Sequence, residues 1–139
     1  MQISSAALLV LALPLVVIAC GAPVRSNLPT HVDWGGSSPA ARQSGLLVLS
    51  GDCVSLVDKQ GGAWLVVWQP GTSRSDAGIA DSSGKVMAQI GDEVSIVGGE
   101  YHDDSIGSQL IAPVSAACRT DRYWLVGDVT VQASPATSP

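Results

Sequence analysis

Apolar positions follow three different patterns along the chain. From Ala6 to Ile18 they run almost unbroken, about 13 residues, the length of a signal-peptide h-region and short of the ~20 that span a bilayer. From Gly21 to Ser44 they lose any period. Pro23, Pro29 and Pro39, with Gly35-Gly36-Ser37-Ser38, support neither a helical nor a strand repeat. From Gly45 onward, short apolar or alternating runs recur between glycine turns, the pattern of consecutive short strands.

Leu46–Leu49 is the first run, and Ser50-Gly51-Asp52 turns the chain. Cys53–Asp58 follows with Val54 and Leu56 on one face, then the turn Lys59-Gln60-Gly61-Gly62. Ala63–Trp68 is the strongest strand signal. Trp64, Val66 and Trp68 share one face, Leu65 and Val67 the other, which predicts a central strand buried on both sides. Pro70-Gly71 ends it, because proline cannot donate to a ladder. Gly78–Asp81, Lys85–Ile90 and Glu93–Val97 continue the rhythm, with Val86, Ala88 and Ile90 expected inward. Gly98-Gly99 permits a positive φ or a close backbone approach. Glu100–Ser108 reads as a polar loop, Gln109–Ala112 as a short strand and Pro113–Ala117 as one helical turn. Arg122–Val126 and Asp128–Val131 close the series.

Many short strands with almost no helix predict an all-β domain. A small antiparallel β-barrel, OB-like, is preferred over a sandwich. The predicted organisation is a leader over 1–19, a modified Cys20 with a flexible tether to residue 44, a barrel over 45–132 and a disordered tail over 133–139. The tether, as a coil, would hold the domain about 25–30 Å from a membrane on average.

Leu15-Val16-Val17-Ile18-Ala19-Cys20-Gly21 changes the picture of the N-terminus. An apolar run ending in a small residue, then cysteine and glycine, looks like a bacterial lipobox. A thiol is the side chain able to take a thioether-linked glyceride, and small Ala19 keeps the preceding bond reachable. Cys20 is therefore expected as an S-diacylglycerol, N-palmitoyl cysteine. The departure from the pattern is that no Lys or Arg precedes Val24. The competing readings are an uncleaved signal anchor and an ordinary leader with a chance cysteine.

Leader removal leaves about 120 residues, enough for one small domain. Seven basic against twelve acidic residues give a formal net charge of −5, which argues against nucleic-acid binding. Cys53 and Cys118 remain once Cys20 is assigned to lipid. Outside the cytoplasm such a pair is expected to bridge, closing a loop of about 66 residues valued near ~4 kcal/mol by chain entropy. Two free buried thiols are the alternative. No Cys/His spacing suggests zinc.

Several motifs together carry a resemblance. They are Gly45-Leu46-Leu47-Val48-Leu49 with Cys53-Val54-Ser55-Leu56, Leu65-Val66-Val67-Trp68-Gln69-Pro70-Gly71, Asp81-Ser82-Ser83-Gly84-Lys85-Val86, Gly91-Asp92-Glu93-Val94 and Gly98-Gly99-Glu100. Over about residues 45–127 the chain resembles small actinobacterial, mycobacterial-type cell-envelope lipoproteins with an uncharacterised β domain. The resemblance implies surface localisation and no particular reaction.

Candidate chemistry is sparse. Glu100, His102, Asp103 and Asp104 form one polar cluster with the ligand types for a divalent ion, but without the alternation of an EF-hand, so a solvated acidic loop is preferred. Ser105 beside Asp104 and His102 lacks the spatial convergence a triad needs. Trp64, Trp68 and Trp124 are expected in the core, with a sugar-stacking surface as the alternative. Trp34 and His31 fall in the tether, with Trp34 expected loosely on the domain or in lipid headgroups and His31 not catalytic. Gly98-Gly99 lacks the context of a phosphate loop. The expected function is a non-enzymatic, lipid-anchored module on the outer face of the cell membrane. It would need no cofactor and would bind an envelope protein or cell-wall ligand. An accessory subunit of an envelope complex is the alternative, and an envelope hydrolase a weaker one.

Overall fold

Glycines and Asp side chains set where the strands turn. In the turn over residues 58–62, Asp58 Oδ1 accepts from the N–H groups of Gln60 and Gly62 at 3.0 and 2.7 Å. Between them Gly61 takes a φ of +83°, a conformation that side chains disfavour. In this computed structural model the strands are β1 (Thr30–His31), β2 (Ala41–Ser50), β3 (Cys53–Val57), β4 (Ala63–Val67), β5 (Ser73–Ser75), β6 (Gly78–Ala80), β7 (Val86–Ala88), β8 (Glu93–His102), β9 (Leu110–Ala112) and β10 (Arg122–Val131). The structure describes residues 14, 28–35 and 38–132. Cys20, the tail over 133–139 and all of the leader but Pro14 lie outside the described residues.

Five strands close a barrel in the order β2, β3, β4, β10, β8 and back to β2. All neighbours are antiparallel except β4 and β10. The all-β barrel expectation therefore holds, and the ring is visited in the Greek-key order of an OB-like fold. Closure depends on β2 serving two neighbours. Ala41 to Leu46 pair with β8, and Leu46 to Ser50 pair with β3. Gly45 sits at the changeover, where a Cβ would collide with the Val57 carbonyl. Gly98 on β8 is likewise pressed against the Leu125 carbonyl. Close approach, not a positive φ, is what that glycine supplies.

Alternation along β4 sends Trp64, Val66 and Trp68 into the barrel with Leu47, Leu56 and Ile96. Trp64 and Trp124 meet edge to face at 6.3 Å, a favoured aromatic geometry. The meander β5–β7 adds Ile79 and Ala88 to the same core. Val86 and Ile90 were expected inward with Ala88, but they are 42% and 38% exposed. β7 ends at Ala88 and Ile90 lies in the turn that follows, so alternation carried through to Ile90 overstates the burial of this segment.

Leu65, Val67, Tyr123 and Leu125 point out of the barrel yet form a second buried cluster with Ile106. Leu110, Val114 and Trp34 pack against it. The connection between β8 and β10 folds over this face and is pinned by the Cys53–Cys118 disulfide. Two-sided burial of β4 follows, as its pattern predicts.

The tether expected over 20–44 is corrected by its described part. Leu28, Thr30 and His31 are buried, and Ala41–Ser44 belong to β2. The Trp68 N–H donates to the Pro29 carbonyl and the His31 N–H to the Trp68 carbonyl, both at 2.9 Å. Residues 28–34 thus form a strap that joins the end of β4 to β9. β8 also runs on through Gly98-Gly99 to His102, and β10 is one strand with an irregularity between Val126 and Asp128.

Candidate functional site

The polar cluster at the end of β8 is built from pairs. Glu100 Oε1 accepts from Arg122 Nε at 2.8 Å and from Trp64 Nε1 at 3.1 Å. The Arg122 guanidinium also lies 4.1 Å from the Trp64 ring centroid, a cation–π contact. Asp103 receives Arg119 at 3.0 and 3.1 Å and the Tyr123 hydroxyl at 3.0 Å. The Arg122 and Trp64 donors hold the Glu100 carboxyl below its ordinary range, as Arg119 and Tyr123 do for Asp103. Asp103 in turn raises Arg119. Ser105 Oγ donates to the His102 carbonyl at 3.1 Å and accepts its N–H at 3.3 Å, closing a turn rather than facing an acid–base partner. Asp104 is exposed. Among the described residues no three His, Cys, Asp or Glu side chains come together to hold a metal, so Glu100, His102, Asp103 and Asp104 do not form the ion site their types allow.

Trp64, Trp68 and Trp124 are buried in the barrel, so they offer no sugar-stacking surface. In an OB barrel the face of the second and third strands holds oligonucleotides and oligosaccharides. Here those strands are β3 and β4. The segment ending at Cys118 lies over their outer side, leaving a cavity of about 210 Å³ between Ser55, Leu65 and Thr120.

The strap creates a cleft that local pattern could not reveal. His31 is 2% exposed. Its Nδ1 and Nε2 lie 2.7 Å from the carbonyls of Val32 and Val126, and its ring stacks on Trp34 at 4.0 Å. With both nitrogens engaged by main-chain oxygens, this imidazole has none free for a substrate. Beside it Asp33, Ser38, Gln69 and Gly127 enclose about 360 Å³. Gln69 Nε2 donates to the Gly127 carbonyl, tying β4 to β10 across the cleft floor.

A second polar groove runs along β2. It is lined by Gln43, Ser44, Gly45, Asp58, Lys59, Gln60, Glu93 and Gln132 and measures about 370 Å³. An adjoining apolar notch of about 160 Å³ lies between Leu46 and Val57. The groove exists because β3 turns away at Asp58, while β2 continues back to Ala41. Both sites fall within small-ligand dimensions at the lower end. Sequence reading missed both. The only local signal was the Gly45 break, which marks where β2 changes partner.

Comparison with protein-family models, with curated proteins and with solved structures returns no match for this chain.

Proposed function

We propose that this protein is a lipid-anchored, non-enzymatic binding module on the outer face of the cell membrane, of the kind its resemblance to actinobacterial envelope lipoproteins implies. The β2 groove carries the reading. It offers amide, hydroxyl and carboxylate groups beside an apolar notch, a lining suited to holding a ligand. His31, the buried imidazole of the strap cleft, has both nitrogens engaged, which favours binding over acid–base chemistry. The Cys53–Cys118 bridge supports a compartment outside the cytoplasm, in keeping with the lipobox at Cys20. The partner is an envelope protein or a cell-wall ligand. Exposed Leu46 and Val48 on the outer side of β2 favour, as a second reading, an accessory subunit docked through that side.

The test has two parts. Cys20→Ala should release the protein from the membrane or leave it as an unprocessed precursor; fractionation and migration like wild type would refute the anchor. A pull-down with the lipidated wild-type protein from its own envelope should retain specific material, and an empty pull-down counts against the binding role.

A further inference from the structure

We propose that the first half of β2 captures an extended peptide of a partner protein as an added strand. This rests on the binding-module reading and names its ligand class.

In an antiparallel ladder each residue sends both main-chain groups to one side, and successive residues alternate. Leu47 faces the β8 side: its N–H donates to Asp92 at 3.0 Å and its carbonyl accepts from Gly91 at 2.8 Å. Gln43 and Gly45 share that parity. Leu46, Val48 and Ser50 face β3, with Val57, Ser55 and Cys53 opposite. Arg42 and Ser44 have the same parity as Leu46, but the chain opposite them has already turned away at Asp58. Among the described residues, the Ser44 carbonyl receives the Gln43 side chain at 3.2 Å. Among the described residues, the Arg42 main chain and the Ser44 N–H have no bond on this edge. Arg42 and Ser44 are both exposed.

An open edge is a template for another strand. Here it also has a wall and a notch. The turn at Asp58–Gly62 stands across the groove, with Gln60 on that side and Gln132 on the other. Amide side chains of this kind can bond the outer edge of an incoming main chain. The notch between Leu46 and Val57 has room for one branched apolar side chain. A saccharide fits less well, because among the described residues no aromatic ring lines the groove for stacking. A nucleic acid fits less well, because Asp58 and Glu93 outnumber Lys59 there. The ligand that uses every feature is an extended segment whose main chain pairs with Arg42 and Ser44 and whose apolar side chain enters the notch.

The experiment pans the full chain in detergent micelles against phage-displayed random octapeptides, then measures the enriched synthetic peptide by fluorescence anisotropy. Binding is expected to weaken about tenfold in Ser44→Pro, which removes an edge N–H not used in the β8 ladder. A melt of that variant checks that it still folds. Independently of any variant, N-methylating the peptide on alternate residues should weaken binding by about tenfold for one parity and leave the other unchanged. Failure to enrich any peptide overturns strand addition. So does binding that tolerates both methylation sets. If strand addition fails while the wild-type chain still retains envelope material, the binding-module reading stands with a different ligand.

Discussion

Trp68 joins the barrel and the strap at one residue. Its side chain is fully buried in the barrel, while its N–H and carbonyl bond to the strap at Pro29 and His31. Its indole N–H has no partner among the described residues, nor does that of Trp124, so both side chains are kept for shape and apolar area. Trp68→Ala should cost about 3–5 kcal/mol, a large share of the roughly 5–15 available to a small domain. A thermal melt checks this, and an unchanged midpoint would refute the core role. This role was legible because Trp64, Val66 and Trp68 alternate with Leu65 and Val67. The setting of His31 was not. Its partners are the carbonyls of Val32 and Val126, and no local pattern announces a contact across 95 residues of chain.

Among the elements, the β8–β10 connection does the most to change the surface. It covers the outer face of β4 and β10 through Ile106, Leu110 and Val114, and Cys118 fastens it to Cys53 on β3 across a sequence separation of 65. Replacing both cysteines by serine should destabilise the domain by up to about 4 kcal/mol. Amide exchange in residues 103–121 should rise more than in β8 or β10, because the barrel ladders remain. Equal protection with and without the bridge would show that packing alone holds the connection down. The two cysteines left once Cys20 is set aside made the bridge an expectation. What the connection covers was not, since a polar loop and a surface-sealing lid look alike in composition. The meander gives the reverse case: alternation placed Val86, Ala88 and Ile90 together, and only Ala88 is buried.

For the whole molecule, the folded unit begins well before Gly45. A chain begun at Gly45 loses the strap, the burial of Leu28 and the β2–β8 pairs from Ala41 to Ser44. Burial of one leucine is worth about 1.5–3 kcal/mol, so that chain should melt more than about 5 °C below one begun at Leu28. Equal midpoints would restore the flexible-tether reading of these residues. By itself the sequence determined the strand-rich class, the main turns and the two-faced central strand, and it made Cys53 and Cys118 the expected bridge that the structure then showed. Each follows from a local period, a glycine or a count. Tertiary structure alone decided that residues 28–34 and 41–44 join the fold and that the three barrel tryptophans leave no stacking surface. It also decided that Glu100 and Asp103 are held by separate arginines, and that β2 outruns β3. These depend on which distant strands come together, and hydrophobic period records only that a side chain is buried, not what buries it.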